Sequence, residues 1–421
     1  MKRLLILYPH WPPSNLAGMH RARLTANFAI DAGWNVTVIS VHPSDYEEAL
    51  DEEMAQLVRP GIDVIHVPAR PVLRIFGKRA IGDIGLRGFR AMKRAAAQHL
   101  AQEKVDFIWI PIPSWYTSLM GRPLSKRFGV PFGVDYIDPW VYRLTQHEPP
   151  FSRAWWTRLV ALILEPKAIR HASLISGVSE AYFTPALDRV FGKKPRPLTV
   201  AMPYGFDPAD HAIEPENPQY PFDPNSHRFI LYAGAFLPHS ERFARHLFRA
   251  IHALIVEGLW PKDIMLQFVG TGKRPGPGIA DIAKEEGVTE FVQEHSSRAP
   301  FLTIQSLLRK SSAALVIGST EPHYTASKTF QCLLSGKPVI ALLHEQSSAL
   351  SFLNQSQADQ FSIGWSEEND DTFQTEITKA LGSLLVSDSK GWNPDLTALN
   401  NHSAAASTRK LLSAIENVLA S

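Results

Sequence analysis

Short apolar segments alternate with segments of helical period through most of the chain. This alternation is typical of an α/β protein, in which helices cover a parallel sheet. The clearest helix is expected at 21–33, with Gly33 as its C-terminal stop, and others near 243–257, 279–286, 303–309 and 403–420. Strands are expected at 4–8, 36–41, 64–67, 107–110, 132–136, 174–178 and 198–202, then at 229–233, 264–269, 314–317 and 339–343.

A proline-rich acidic stretch interrupts this alternation. Six prolines and five acidic residues lie between positions 203 and 224. The pattern predicts two doubly wound, Rossmann-like domains that face each other across a cleft. The expected boundaries are an N-terminal domain at 1–205, a linker at 206–226, a C-terminal domain at 227–395 and a terminal helix at 396–421.

Composition excludes several classes of protein. Hydrophobic residues make up 45% and charged residues 20% of the 421 positions, as in globular proteins rather than disordered chains. The net charge is only +2, so no nucleic-acid partner is expected. Cys332 is the single cysteine, which excludes a disulfide scaffold and a multi-cysteine metal cluster. No apolar stretch approaches the ~20 residues of a transmembrane helix.

Common catalytic motifs are missing from the sequence. The pairs Gly272-Lys273 and Gly336-Lys337 lack the earlier glycine of a phosphate-binding P-loop. No Gly-x-Gly-x-x-Gly follows the first expected strand, and neither His-Glu-x-x-His nor Gly-x-Ser-x-Gly occurs. These observations disfavour nucleoside triphosphate hydrolysis, nicotinamide chemistry, zinc proteolysis and common serine hydrolysis.

A set of ordered motifs is more specific. A small-residue loop, Asn-Leu-Ala-Gly at 15–18, leads into His20 and Arg21. Asp-Tyr-Ile-Asp-Pro-Trp follows at 135–140, and Ser-Lys-Thr-Phe at 327–330 precedes Gly-Lys-Pro-Val-Ile-Ala at 336–341. In this order and spacing, the chain resembles a family 4 glycosyltransferase of the GT-B fold.

The resemblance implies a transferase that uses a nucleotide diphosphate sugar. Such an enzyme moves the sugar to a glycan or lipid-linked acceptor, with retention of configuration, in cell-surface polysaccharide or glycoconjugate synthesis. It implies no metal ion and no cofactor besides the donor substrate, and a location in the cytoplasm, at the inner face of the membrane. A nucleotide-sugar epimerase, or a non-catalytic relative that binds a glycan or a partner protein, remains an alternative.

The resemblance places the donor on the C-terminal domain. Lys328 is expected to stabilise the charge that builds on the departing diphosphate, although an exposed helix lysine would look the same. His323 and Gln331 replace two glutamates of the family pattern, which leaves donor identity and activity open. Backbone around Phe291 and Val292 is expected to contact the base. The implied donor-binding residues are Gly234, Arg242, Arg245, Gly270, Val292, Glu321, Thr325, Ser327, Lys328 and Gln331.

The acceptor is implied to bind the N-terminal domain. Asp138 is expected to accept the proton of the acceptor hydroxyl or to stabilise the sugar cation, with turn capping as the alternative. Asp135, three residues earlier, is expected to be its structural partner, because a close pair of carboxylates raises the pKa of one of them. The implied acceptor-binding residues are Gly18, His20, Arg21 and Trp140.

A basic segment runs from Arg70 to Arg94. It holds eight basic residues and one acid, Asp83, among interleaved apolar side chains. Trp155 and Trp156, flanked by Arg153 and Arg158, form a second aromatic and basic cluster. This composition favours peripheral contact with a membrane, and a helix packed on the sheet with its charges outward is the alternative.

Overall fold

The computed structural model describes residues 1–75, 78–142, 149–274, 276–321, 328–387 and 392–421. Over these residues the chain divides into two compact units. The first unit consists of Met1–Asp207 together with His402–Ser421, and the second of Pro208–Asn401. Each unit has its own hydrophobic core, built from both faces of a parallel sheet and the helices that cover it.

The first unit contains a seven-stranded parallel sheet in the order β3-β2-β1-β6-β7-β8-β9, counted over the described residues. This is the doubly wound order that the alternating pattern predicted. Its strands and a small antiparallel hairpin are β1 (Arg3–Leu7), β2 (Asn35–Val41), β3 (Ile62–Val67), hairpin strands β4 (Leu73–Ile75) and β5 (Lys78–Ile81), β6 (Phe107–Ile112), β7 (Phe132–Tyr136), β8 (Leu174–Gly177) and β9 (Leu198–Ala201). The helices are α1 (Ala17–Asp31), α2 (Ile84–Arg87), α3 (Phe89–Gln102), α4 (Gly121–Phe128), α5 (Arg153–Ile169) and α6 (Glu180–Phe191).

The second unit repeats this design with six parallel strands, again counted over the described part of the chain, in the order β12-β11-β10-β13-β14-β15. The strands are β10 (Arg228–Ala233), β11 (Ile264–Val269), β12 (Val292–His295), β13 (Ala313–Ile317), β14 (Val339–His344) and β15 (Ser362–Trp365). The helices are α7 (Pro208–Ala212), α8 (Glu241–Val256), α9 (Ile279–Glu285), α10 (Phe301–Lys310), α11 (Lys328–Leu334), α12 (Ser348–Gln355) and α13 (Asp370–Ser387).

The sequence pattern located most of these elements but not all of their limits. Helix α1 begins at Ala17, four residues before the expected start, because the small-residue loop itself enters the helix. The expected linker is also partly folded. Its first residues form α7, in which Asp210 and His211 are buried, and Arg309 of α10 donates to the Ile213 carbonyl at 3.0 Å. This stretch therefore belongs to the packing of the second unit.

The terminal helix α14 (Ala404–Ala420) packs against α1 and β9 of the first unit. The Ala404 amide donates to the Phe206 carbonyl at 2.9 Å, and the Ser407 hydroxyl donates to the Pro203 carbonyl at 2.9 Å. Gly205 permits this close approach, because a Cβ there would lie 2.7 Å from Ala404 Cα. The helix is thus integral to the first unit, rather than a separate terminal segment. No described helix combines the length and the apolar character needed to cross a membrane.

Candidate active site

A cavity of about 390 Å³ opens at the carboxyl edge of the first sheet. Its floor lies beyond β1, β6 and β7, which are neighbours in the sheet, as expected for ligand sites in doubly wound folds. The residues that line it are Tyr8, His10, Leu16, Ala17, Gly18, Glu47, Glu48, Gly82, Asp83, Ile84, Arg87, Pro113, Ser114, Ile137 and Asp138.

Gly18, one of the predicted acceptor residues, lines this cavity at the start of α1. A Cβ at this position would lie 2.0 Å from the Tyr8 hydroxyl and 3.6 Å from Ile137 Cδ1. Because Tyr8 is only 2% exposed, it has little room to withdraw. Glycine at 18 therefore keeps the Tyr8 phenol at the wall of the cavity.

Asp138, the predicted catalytic carboxylate, also lines this cavity just beyond β7. Burial raises the pKa of its carboxyl above the ordinary range. The expected pairing of Asp135 with Asp138, which would raise the pKa of one of the two carboxyls, is not seen, because the Asp135 carboxylate forms an ion pair with Arg21. The Asp138 charge in turn contributes to the raised pKa values of Tyr8 and Tyr204, for which burial is the main cause.

Two of the cavity's carboxylates have basic partners. Glu48 accepts a hydrogen bond from Ser14 Oγ at 2.7 Å and pairs with His10 Nδ1 at 2.8 Å. Burial alone would raise the pKa of Glu48, but His10 and Ser14 outweigh it and lower the pKa to about 2. Glu47 lies 3.6 Å from Nη1 of Arg87.

Three of the predicted acceptor residues do not line the cavity. Arg21 is buried, with Nε 2.5 Å and Nη2 2.8 Å from the two Asp135 oxygens, and it also donates to the Met202 and Pro203 carbonyls. These contacts indicate a structural role for Arg21 and do not support the predicted acceptor contact.

Trp140 and His20 also differ from their predicted roles. Trp140 is buried in the hydrophobic core, with its ring in edge contact with that of Tyr116. His20 Nε2 lies 3.1 Å from Asn15 Oδ1, so the imidazole braces the loop that precedes α1. The core position of Trp140 and the loop contact of His20 do not support the predicted acceptor binding.

The second unit places Lys328 beside a glycine turn at the carboxyl end of β10. Lys328 begins α11 within the described residues, and its Nζ lies 3.9 Å from the centre of the Tyr232 ring. Gly234 follows β10 with a φ of +132°, and a Cβ there would lie 3.4 Å from Lys328 Nζ. The ammonium group is thus buried beside the turn and the Tyr232 ring.

Gly270 lies at the same edge, after β11. It has a φ of +77°, and a Cβ there would lie 3.9 Å from the Gly234 nitrogen and 4.0 Å from Arg298 Cα. The Gly270 amide donates to the His295 carbonyl at 2.8 Å, which ties this turn to the end of β12. Exposed Arg298 is thus a second cation at this edge, and no sequence motif indicated it.

Arg242 and Arg245, both predicted to bind the donor, are held by carboxylates. The Arg242 Nη2 lies 2.6 Å from Asp370 Oδ2. Arg245 pairs with Glu241, Glu285 and Glu286 at 3.0, 2.7 and 3.2 Å. These ion pairs do not support the predicted contact with a diphosphate.

Val292 was also predicted to bind the donor, but it begins β12 and faces the hydrophobic core. It lies at the amino end of the strand, away from the carboxyl edge where Gly270 lies, and the half-buried Phe291 packs on the same core. The Val292 side chain is therefore a core residue, and the contact of its backbone with the base stays a prediction.

The remaining donor candidates lie near α11 or outside the described residues. Glu321 is exposed, with Oε1 3.7 Å from His239 Nε2 in the loop after β10, and Gln331 is half-buried on α11. Thr325 and Ser327 lie outside the described residues, as does His323. Among the described residues, no cluster of His, Cys, Asp and Glu could hold a metal ion.

The basic segment from Arg70 to Arg94 comprises the β4 and β5 hairpin, α2 and the start of α3. Arg87 is buried, and its Nε donates to the Arg70 carbonyl at 2.6 Å. Arg74, Arg90 and Arg94 are exposed. The segment therefore combines one structural arginine with a set of solvent-facing cations.

Comparison with known proteins identifies the first unit. Residues 17–204 match the family described as glycosyl transferase 4-like domain. The first unit is therefore similar to a glycosyl transferase 4-like domain. The matched residues include every strand of the first sheet except β1, and they include Gly18 and Asp138. No curated protein has a sequence that matches the chain.

Solved structures share the fold of the entire chain. HepE of Anabaena, solved with UDP and glucose, has 15% identity and a TM-score of 0.59, over 99% of this chain and 100% of that chain. Sucrose-phosphate synthase of Thermosynechococcus elongatus has 14% identity and a TM-score of 0.62, over 100% of both chains. Trehalose 6-phosphate synthase of Burkholderia multivorans has 12% identity and a TM-score of 0.57, over 100% and 99%. The predicted GT-B fold and glycosyltransferase class are confirmed.

Proposed function

We propose that the chain transfers a sugar from a nucleotide diphosphate sugar to a hydroxyl of a glycan or lipid-linked acceptor. The observation that carries the donor assignment is the position of the Lys328 ammonium beside the Gly234 turn, at the carboxyl end of β10. The glycosyl transferase 4-like domain supports the transferase activity. Since HepE was solved with UDP and with UDP-glucose, uridine diphosphate sugars are the first donors to test.

The proposed reaction separates charge at the donor. The bond between the anomeric carbon and the diphosphate oxygen breaks, and its electron pair stays on the diphosphate. A cation beside that oxygen stabilises the transition state more than the bound donor. Lys328 supplies this charge, and Arg298 supplies a second one at the same sheet edge. The proposal requires no metal ion and no other cofactor.

The proposed acceptor site is the cavity of the first unit. The Asp138 carboxylate accepts the proton of the acceptor hydroxyl as that oxygen bonds to the anomeric carbon. Its raised pKa makes it a stronger base than an ordinary aspartate. Tyr8 stays protonated because burial raises its pKa, so its phenol can donate a hydrogen bond to a sugar oxygen. Retention of anomeric configuration is the stereochemical outcome that we propose.

A donor screen followed by a turnover assay tests this function. Incubation of the full chain with a panel of nucleotide sugars should raise its thermal stability, by about 2.7 kcal/mol at one hundred times the dissociation constant. Added acceptor should then release free nucleoside diphosphate and form a glycoside of retained configuration. Donor binding without release of nucleoside diphosphate would indicate a non-catalytic relative. Conversion of the donor sugar without transfer would indicate an epimerase. If no nucleotide sugar raised the thermal stability, nucleotide-sugar binding would be refuted.

We also propose that the first unit contacts the inner face of the cytoplasmic membrane, where a lipid-linked acceptor of polysaccharide or glycoconjugate synthesis would be available. Arg74, Arg90 and Arg94 are exposed, and the exposed row Trp156, Val160 and Ile163 lies on α5. Helices α2 and α5 both pack on the segment Trp115–Met120, so the two surfaces border the same part of the first unit.

Vesicle co-sedimentation tests this membrane contact. Basic residues near an anionic surface contribute about 1 kcal/mol each, and salt screens the attraction. Binding to anionic vesicles should weaken with added salt and in the triple variant Arg74→Gln, Arg90→Gln and Arg94→Gln. Arg87 is left unchanged because it is buried. Vesicle binding that is unaffected by both salt and the triple variant would refute the role of the basic segment in membrane contact.

A further inference from the structure

The cavity of the first unit has an excess of negative charge. Four carboxylates line it, from Glu47, Glu48, Asp83 and Asp138, and the only basic side chains among the described lining residues are Arg87 and His10. With all four carboxylates ionised, the lining carries a net charge of −3 when the imidazole is neutral and −2 when it is protonated. Such a lining repels a phosphate or a second carboxylate.

The four carboxylates differ in how many hydrogen bonds and ion pairs they already make within the protein. Asp83 caps α2 through the Leu86 amide at 2.8 Å and accepts a hydrogen bond from Ser114. Glu48 is taken up by His10 and Ser14. Asp138 makes no side-chain hydrogen bond to any described residue, so its oxygens are available to a ligand.

A buried donor also faces this cavity. Arg87 is 8% exposed, and its Nε and Nη2 donate to the carbonyls of Arg70 and Asp45. Its Nη1 is buried and has no hydrogen-bond partner among the described residues, with Glu47 3.6 Å away. Arg87 Nη1 therefore has an ion-pair partner but no hydrogen bond, and a ligand oxygen would supply that bond. With the Tyr8 phenol, the cavity thus offers two donors and several acceptors, a set that suits a polyhydroxylated ligand.

We propose that the sugar unit entering this cavity carries no phosphate or carboxylate, and that an amine on it strengthens binding. This inference rests on the proposed function, because it assigns the cavity to the acceptor. Neutral hydroxyls satisfy Arg87 Nη1 and the Asp138 oxygens without adding negative charge. An ammonium group lowers the net negative charge of the lining. A phosphate next to the reacting hydroxyl would gain one contact with Arg87 and oppose the remaining carboxylates.

Saturation-transfer NMR on the full chain tests the inference without turnover. The probes are matched sets of methyl glycosides of glucose, galactose and mannose: the neutral sugar, the 2-amino sugar, the 6-carboxylate and the 6-phosphate. We expect the neutral and amino sugars to bind at least about tenfold more tightly than their anionic counterparts. Equal binding of the anionic sugars, or binding of none of the sugars, would overturn the proposal.

A variant that removes one lining charge tests whether the cavity causes the preference for neutral over anionic sugars. Glu47→Gln removes one lining carboxylate and leaves Arg87 less compensated, so the preference for neutral over anionic sugars should narrow by about threefold or more. Glu52→Gln is the matched control, because Glu52 is exposed and lies outside the lining. An unchanged preference in Glu47→Gln would refute the role of the cavity. If no nucleotide sugar raises the thermal stability while the preference for neutral over anionic sugars is observed, the proposed transfer is refuted and the inference about the cavity stands.

Discussion

Replacement of Arg21 by methionine distinguishes a structural arginine from an acceptor-binding one. Arg21 is 1% exposed and Asp135 is 0% exposed, and two hydrogen bonds of 2.5 and 2.8 Å join them. Removal of one partner of a buried ion pair costs about 3–5 kcal/mol, because the other charge stays buried without compensation. Two backbone carbonyls, of Met202 and Pro203, lose their donor as well. Domain stabilities are only about 5–15 kcal/mol, so this loss should be readily measured.

Hydrogen exchange of peptides from β7 provides the assay, because it reports on the first unit separately from the second. These peptides should exchange much faster in Arg21→Met than in the parent. The double variant Arg21→Met with Asp135→Asn should recover part of the loss, since it no longer buries a lone carboxylate, while the asparagine oxygen still accepts from Ser176 Oγ. If exchange in Arg21→Met equals that of the parent and the KM for acceptor rises sharply, Arg21 binds the acceptor and the structural role is refuted.

Three further substitutions test the cavity. Gly18→Ala should lower the free energy of unfolding by about 1–3 kcal/mol, measured by thermal unfolding, because its Cβ displaces Tyr8. Gly382→Ala, which places a Cβ in open space on α13, is the control and should not lower it. Equal stability of the two variants would mean that Tyr8 moves aside without cost. Glu48 has a folded pKa of about 2 against an ordinary 4.5, so its stabilisation is complete above 4.5 and disappears as the pH falls toward 2. Chemical unfolding should show this loss, about 1–2 kcal/mol after allowance for solvent screening, in the parent and not in Glu48→Gln. In the pH profile of kcat/KM, the acidic limb should have a pKa above that of an ordinary aspartate. Asp138→Asn should lose most of the activity, and its residual activity should lack this limb. An acidic limb that persists unchanged in Asp138→Asn would belong to another group.

The fold was predictable from the sequence because buried parallel strands read as apolar runs. Every residue of β6 and β7 is buried; β7 was expected with its observed bounds, and β6 was expected to end two residues earlier than it does. Four strands were missed: β4 and β5 of the short hairpin, and β12 and β15, which are the edges of the second sheet. Val-Gln-Glu-His and Ser-Ile-Gly-Trp contain too few apolar residues to stand out as strands.

The candidate site was predictable only in part. Gly18 and Asp138 were identified by motifs that place a glycine and a carboxylate at strand ends, and both line the same cavity. The side chain of Arg21 points to Asp135 of β7, a partner distant in sequence that the local sequence does not reveal. Arg298 was missed because its proximity to Gly270 arises from the missed strand β12.

The kinetics of Lys328→Ala test donor activation at the second unit most directly. Because the ammonium is proposed to act on charge that grows in the transition state, its loss should lower kcat by about 10²–10³ and affect donor affinity much less. Lys328→Arg should recover only part of the activity, because a planar guanidinium does not replace a compact ammonium. Arg242→Ala is the matched control and should stay close to the parent, since Arg242 pairs with Asp370. Turnover of Lys328→Ala within about threefold of the parent, or a comparable loss in Arg242→Ala, would contradict the proposed role of Lys328.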